Sequence, residues 1–281
     1  MILVTGATGA VGRETVRLLV ESGAKVTVVT RDPRAAFPSG TQVVHPSEVA
    51  GLGGALSGVE AILLSPRAAG ADAAGLLAHA RGAGAKRVVV LSALTVQYPA
   101  GLPRFRQQFQ AVEDIARGSG LDWTILRCAD FAANTLAWAR QIQLTGTVRG
   151  AYPEARTSTI DERDIAAVAA LALTDSVHNG QVYLLTGEES LSQPEKVAAL
   201  GTALGRPLSF AESTPDEIRR GMLAAGLPAE VPDRLLGSLA DYAREAGPTT
   251  GTVRELLGRP ARTYATWALD HRSAFTAGGD R

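Results

Sequence analysis

The opening run Met1-Ile2-Leu3-Val4-Thr5-Gly6-Ala7-Thr8-Gly9-Ala10-Val11-Gly12 constrains the chain more than any other segment. A short apolar stretch leads into Gly-x-x-Gly-x-x-Gly and then into an apolar-periodic segment. This is the pattern of a buried strand, a tight turn and the start of a helix. Each glycine has its own reason. Gly6 permits the turn, Gly9 lets the backbone approach a phosphate, and Gly12 lets the helix lie close to the strand. The first N–H groups of a helix have no partner within it and carry partial positive charge, so the turn can cradle a pyrophosphate. The motif therefore points to dinucleotide binding, with Gly6, Thr8, Gly9, Ala10, Val11 and Gly12 around the pyrophosphate.

The rest of the chain supports that context. Strands are expected at Ile2–Val4, Lys25–Thr30, Gln42–Val44, Ala61–Leu64, Arg87–Leu91 and Trp123–Leu126. Helices are expected at Glu14–Ser22, Ala50–Leu56, Asp72–Gly82 and Phe105–Gly118. Near-continuous apolar strands alternating with helices predict a parallel sheet covered on both faces, an α/β doubly wound fold. Beyond Ala129 the pattern loosens. It predicts a helix over Phe131–Leu144, a strand at Ser158–Ile160, a turn at Asp161-Glu162-Arg163-Asp164 and an alanine-rich helix to Leu173. A strand at Val182–Thr186 and a helix at Gln193–Leu204 follow. Pro215–Arg262 reads as helical segments broken by Gly226, Pro228, Pro232 and Gly247-Pro248, and Gly278–Arg281 as a disordered tail. The expected organisation is a dinucleotide-binding domain over residues 1–155, with sheet and helix contributions from 156–187. A small, mostly helical substrate portion covers 188–281.

Charge and cysteine content exclude several classes. The 28 basic and 28 acidic residues balance, and no basic stretch interleaves with aromatics, which argues against nucleic acid as a partner. The single cysteine, Cys128, excludes an internal disulfide and a cysteine metal cluster, and the four scattered histidines argue against a zinc site. No apolar run reaches the roughly 18 residues of a membrane span. The opening run is too short, and lacks the basic flank, for a signal peptide. A cytoplasmic protein is expected.

Strand two ends Thr30-Arg31-Asp32-Pro33, with Arg34 close by. An acidic residue about 20 positions past the glycine loop binds the ribose hydroxyls of NAD(H), whereas arginine suits the 2′-phosphate of NADP(H). Arg31 favours NADP(H); Asp32 favours NAD(H) if it faces the ribose instead. Ligands of open α/β sheets lie beyond the carboxyl ends of the strands. Ser65, Pro66 and Arg67 after strand four, and Ser92 and Ala93 after strand five, therefore flank the middle of the cofactor. Ser92 is a candidate to hydrogen-bond nicotinamide or substrate; the alternative is a strand-end hydroxyl satisfied by backbone.

Several motifs together resemble one family. They are the Thr-Gly-Ala-Thr-Gly-x-x-Gly loop, Thr30-Arg31-Asp32-Pro33, and Gly120-Leu121-Asp122-Trp123-Thr124-Ile125-Leu126-Arg127 followed by Phe131 and Asn134. Asp161-x-x-Asp164-Ile165-Ala166 and Leu257-Gly258-Arg259-Pro260 with Trp267 complete the set. The combination resembles the NmrA-like branch of the atypical short-chain dehydrogenases over essentially the whole chain. The resemblance implies a Rossmann domain, an NADP(H) or NAD(H) cofactor, and a role as quinone reductase, other NADPH reductase or redox-sensing regulator. Cys128 stands where the family usually has proline; because it ends strand six, it is expected with Ala129 and Phe131 to approach the nicotinamide.

One departure restricts the chemistry. Many short-chain dehydrogenases use Tyr-x-x-x-Lys after strand five, the tyrosine as acid. Here Phe105 and Phe109 stand at the apparent site, and neither can transfer a proton. Tyr98 lies upstream as a substitute acid or a loop aromatic. Glu113 reads as a solvated or structural helix carboxylate. An isolated ketone needs a proton as it is reduced, whereas a reduced quinone delocalises its charge and is protonated later by water. The expected function is an NADPH-dependent reductase of a quinone or related planar aromatic. Phe105, Phe109, Phe131, Asn134, Trp138 and Tyr152 line its pocket. By analogy with relatives in aromatic polyketide tailoring, the hydroquinone could react with oxygen for net hydroxylation, with a partner protein. The alternative is a dinucleotide sensor that does no chemistry. A homodimer is the default oligomer.

Overall fold

The sheet is built on strands that are buried on both faces, so their side chains are apolar at nearly every position. The computed structural model describes residues 1–46, 56–69 and 72–276. In chain order the first elements are β1 (Ile2–Thr5), α1 (Ala10–Glu21), β2 (Val26–Val29), β3 (Gln42–Val44), β4 (Ala61–Leu64), α2 (Pro66–Ala69), α3 (Ala73–Gly82) and β5 (Arg87–Ala93). They are followed by α4 (Pro103–Gly118), β6 (Asp122–Cys128), α5 (Ala139–Thr145), β7 (Thr147–Gly150), β8 (Arg156–Thr157), α6 (Glu162–Thr174) and β9 (Val182–Leu185). The last are β10 (Leu191–Ser192), α7 (Gln193–Leu204), β11 (Ser209–Glu212), α8 (Pro215–Ala224), α9 (Glu230–Tyr242), α10 (Thr252–Leu257) and α11 (Tyr264–Asp270).

The chain divides into two compact units. The first comprises Met1–Val96, Gln107–Cys128 and Glu162–Leu185; the second comprises Gln97–Arg106, Ala129–Asp161 and the chain from Thr186 onward. In the first unit seven parallel strands run in the order β3-β2-β1-β4-β5-β6-β9. This is the doubly wound α/β order, with its switch point between β1 and β4. Leu3, Ile62, Leu64, Val88, Val90 and Ile125 pack with Leu77 and Ala80 of α3 and Ala116 of α4 in one core. Helices α1 and α6 pack against each other and against the sheet. Their small buried residues, Gly12 and Thr15 in α1 and Ala166, Ala169 and Ala172 in α6, let the helices approach closely.

The second unit has an antiparallel pair, β8 with β10, and a parallel pair, β7 with β11. Its core gathers Ile142, Val148, Val197, Leu200, Tyr264, Trp267 and Phe275. Trp267 stacks on His271 with ring centroids 4.4 Å apart. Helix α7 begins at a capping box formed by Ser192 and Glu195 and ends at Gly205 with φ +66°.

Four local expectations need correction. The helix expected over Phe131–Leu144 is a tighter 3-10 turn at Ala132–Trp138 followed by α5. Thr135 Oγ1 donates to the Ala132 carbonyl at 2.7 Å and so favours the three-residue repeat. The strand expected at Ser158–Ile160 lies earlier, at β8. Ile160 makes only an isolated bridge to Phe131, because Thr157 and Thr159 turn their hydroxyls to Asp130. The turn expected at Asp161–Asp164 is largely the first turn of α6. Pro232 does not break a helix but sits in the first turn of α9, where its missing N–H has no helical partner to lose. Residues 50–55 of the expected Ala50–Leu56 helix, and the Gly278–Arg281 tail, lie outside the described residues.

Candidate cofactor and substrate site

The glycine loop leaves β1 at the switch point. Gly6 has φ +69°, a left-handed conformation, and a Cβ there would lie 2.9 Å from the Ser65 side chain. A Cβ on Gly12 would lie 2.2 Å from the Gly6 carbonyl oxygen, so only glycine lets α1 start this close to the loop. A Cβ on Gly9 would meet nothing closer than that oxygen at 3.3 Å; its other side is open. Gly9 is the extended N-cap of α1, with no capping side chain and no acidic residue in the first turn. The leading N–H groups thus have neither a side-chain acceptor nor a repelling carboxylate, which suits an anionic pyrophosphate. Thr5 ties the neighbouring loop in place: its Oγ1 donates to the Leu63 carbonyl at 2.9 Å and accepts from Ser65 N–H at 2.8 Å. These features fit an NAD(P)(H) diphosphate held by backbone.

At the end of β2, Arg31 is exposed and makes no hydrogen bond or ion pair among the described residues. Asp32 is engaged locally. Its Oδ1 accepts from Arg34 N–H at 2.9 Å, and its own N–H donates to Thr30 Oγ1 at 3.0 Å. The arginine is therefore available to a ligand, while the aspartate is already part of a turn.

Ser92 and Arg127 are register partners on β5 and β6, as are Ala93 and Cys128. Ser92 Oγ donates to Glu113 Oε1 at 2.6 Å. Glu113, on α4, is wholly buried. It also accepts from Arg127 Nε at 2.9 Å and Nη2 at 2.7 Å, and from Arg117 Nη2 at 3.0 Å. Burial pushes its carboxyl up, but hydrogen bonds from Arg127 and Ser92 and the charges of both arginines outweigh this and hold it below the ordinary value. Glu113 is thus not solvated; the structural half of its expectation is what the geometry displays. Ser92 is satisfied by a carboxylate and not by backbone. Its one proton is committed, so its free lone pairs make it an acceptor toward any ligand.

The other expected site residues are distributed as follows. Within the first unit, Ser65 and Pro66 are half-buried at the end of β4, Arg67 is exposed, and Phe109 is half-buried on α4. Cys128 is buried, and burial pushes its thiol well up, so it is an unreactive small core residue. In the second unit Tyr98 is 41% exposed. Phe105 is buried, with the Arg104 guanidinium 4.8 Å over its ring. Ala129 and Phe131 are half-buried, Asn134 is exposed, and Trp138 packs against the second core. Tyr152 has φ +57°, the one left-handed non-glycine among the described residues. Its carbonyl accepts from Gln193 Nε2 and from Ala155 N–H. Strain of this kind gathers at functional sites.

Sequence reasoning did not find the partners of Glu113 or a second polar cluster around Asp130 and Lys196. Arg117, four residues along α4 from Glu113, carried a helical-spacing signal. Lys196, 66 positions from Asp130, carried none.

A glycine cradle at the switch point of a parallel sheet, with an exposed arginine just past β2, is the arrangement of a dinucleotide-binding α/β protein. Residues 6–176 match the family described as NAD(P)H-binding. A (4-alkanoyl-5-oxo-2,5-dihydrofuran-3-yl)methyl phosphate reductase of Streptomyces griseus is 38% identical over 282 residues, covering 98% of this chain and 99% of that protein. The NAD(P)H azoreductase of Xenophilus azovorans is 35% identical over 294 residues, covering 99% and 100%. The solved NADPH-dependent quinone oxidoreductase of Escherichia coli aligns with a TM-score of 0.80 at 25% identity, covering 95% and 98%. The chain belongs to the NAD(P)H-binding family, in the NmrA-like, atypical short-chain dehydrogenase fold that its motifs resemble. No helix among the described residues is long and apolar enough to cross a membrane.

Proposed function

We propose that this protein is an NAD(P)H-dependent reductase, with NADP(H) preferred, that acts on a quinone or a similarly conjugated planar acceptor. The observation that carries this reading is that the residues standing at the Tyr-x-x-x-Lys positions, and the serine at the end of β5, have no proton to give. Phe105 and Phe109 cannot donate, and the Ser92 proton is held by Glu113. Bound NAD(P)H supplies the hydride. Gly6, Gly9 and Gly12 shape the backbone that holds its diphosphate, Thr8, Ala10 and Val11 complete that turn, and Arg31 meets the 2′-phosphate. Ser65, Pro66, Arg67 and Ala93 flank its middle. Ser92 accepts from an N–H donor such as a carboxamide. Cys128 would border the nicotinamide and Phe109 the acceptor; Ala129, Phe131, Asn134 and Tyr152 of the second unit are further candidates for ligand contact. Positioning in an apolar setting is then the main contribution of the protein.

The names of the relatives support a conjugated acceptor. Quinone and azo groups both take a hydride into a system that spreads the resulting charge, so protonation can follow from water. The test is loss of reduced-nicotinamide absorbance with a panel of benzo-, naphtho- and anthraquinones, with NADH beside NADPH. Quinone-dependent oxidation that survives Tyr98→Phe and is lost in Gly9→Asp is expected. The missing Tyr-Lys pair also favours a second reading, a non-catalytic dinucleotide sensor; tight NADPH binding without oxidation across the panel would select it.

A further inference from the structure

The second unit contains a polar cluster that hydride transfer does not use. Asp130 Oδ2 receives Thr159 Oγ1 at 2.7 Å, Thr157 Oγ1 at 3.1 Å and Lys196 Nζ at 3.2 Å. Lys196, on α7, is only 6% exposed and also donates to Thr157 Oγ1 at 2.7 Å. Thr157 and Thr159 are buried as well. Burying a lysine has a large desolvation cost, and a pair that served only stability would gain most by engaging both carboxylate oxygens. Here three donors converge on one oxygen. Oδ1 makes no hydrogen bond among the described residues, and the Asp130 side chain is 35% exposed. The cluster fixes a carboxylate by one oxygen and leaves the other for an external donor.

Tyr242, the last residue of α9, is half-buried, and its hydroxyl has no hydrogen bond among the described residues. Burial, then the negative charges of Asp130 and Asp241, push its phenol up to about 12. It therefore remains a donor throughout the working pH range. An acceptor and a donor of this kind match a hydroxyl beside a carbonyl.

We propose that Asp130 is a substrate-recognition residue: Oδ1 accepts a hydrogen bond from a hydroxyl on a hydroxylated conjugated carbonyl compound, such as a hydroxyquinone. Lys196, Thr157 and Thr159 hold the carboxylate in place, and Tyr242 donates to the adjacent carbonyl oxygen. The proposal rests on the reductase reading for its substrate class. The experiment compares kcat/KM for 5-hydroxy-1,4-naphthoquinone with that for 1,4-naphthoquinone, in the wild type, Asp130→Asn and Tyr242→Phe. The hydroxy-to-parent ratio is expected to fall about tenfold or more in Asp130→Asn, the size of a hydrogen bond to a charged group, whereas Tyr242→Phe should lower kcat/KM for both quinones alike, because both carry the carbonyl. Tyr242→Phe leaves the ion pair intact, so it stays informative if Asp130→Asn unfolds. An unchanged ratio in folded Asp130→Asn, or an unchanged kcat/KM for both quinones in Tyr242→Phe, overturns the recognition role. If the wild type oxidises NADPH with neither quinone, the reductase reading fails by itself. Binding of 5-hydroxy-1,4-naphthoquinone, read by tryptophan fluorescence, then decides: a tenfold loss of affinity in Tyr242→Phe supports the site, and equal affinity overturns it.

Discussion

Replacing Glu113 by alanine should destabilise the protein more than most single substitutions. The carboxylate is wholly buried and holds Ser92 at 2.6 Å, Arg127 at 2.7 and 2.9 Å, and Arg117 at 3.0 Å. Removing one partner of a buried ion pair costs about 3–5 kcal/mol, because the other charge stays buried. Arg127 sets most of this cost: its side chain is 13% exposed, whereas Arg117 is 31% exposed and can turn to water. At about 2–4 °C per kcal/mol for a large domain, Tm should fall by about 10 °C. Thermal and urea unfolding would be measured for Glu113→Ala, Glu113→Gln, Arg127→Met and the Glu113→Leu/Arg127→Met double variant. The double variant should recover much of the loss, because an apolar pair of similar volume leaves no buried charge. The pH dependence follows from the depressed carboxyl. The unfolded chain binds the proton more readily, so this contribution is full above the ordinary value of 4.5 and lost as pH falls through the lower folded value. Glu113→Gln should flatten that acid limb. Stability of Glu113→Ala within about 1 kcal/mol of wild type would refute the account of the clamp.

Other substitutions separate structural from binding roles. Gly12→Ala forces a Cβ to 2.2 Å from the Gly6 oxygen and should cost about 1–3 kcal/mol by urea unfolding. Gly9→Ala, with its nearest contact at 3.3 Å, should keep its Tm while NADPH affinity falls by calorimetry; the reverse pattern would contradict the assigned roles. Arg31→Ala should weaken NADPH about tenfold more than NADH, as loss of a charge-assisted hydrogen bond implies, and equal losses would point to a general charge effect. Tyr152→Gly relieves about 1–2 kcal/mol of left-handed strain but gives up contacts and unfolded-state entropy. It should therefore raise the acceptor KM with little change in Tm; a stabilised variant with wild-type kinetics would remove Tyr152 from the site. Cys128 should resist thiol reagents until the protein unfolds in urea, and fast labelling of the native state would show that its burial had been misjudged.

Elements whose signals are local were legible in the chain itself. Gln42–Val44, Ala61–Leu64 and Gln193–Leu204 have the boundaries expected, the strands from apolar runs and the helix from its stop at Gly205. The glycine loop belongs to the same class, since Gly6 is required by its own φ of +69° and Gly12 by the Gly6 carbonyl six positions away. Strands β5 and β6 run two residues further than expected, to Ala93 and Cys128, because pairing with each other continues the ladder past the apolar stretch. Nothing in the residues around Glu113 states that it is buried. That depends on Arg127, brought to it when β6 pairs with β5 beneath α4. Likewise Asp130 reads as one more loop carboxylate until folding brings Lys196 from 66 positions away. Sequence alone determined the dinucleotide cradle and the missing tyrosine, because a backbone turn and an absent hydroxyl are properties of single residues. Tertiary structure decided which carboxylates are held and which oxygens remain free, because a buried charge is compensated only by partners that folding assembles.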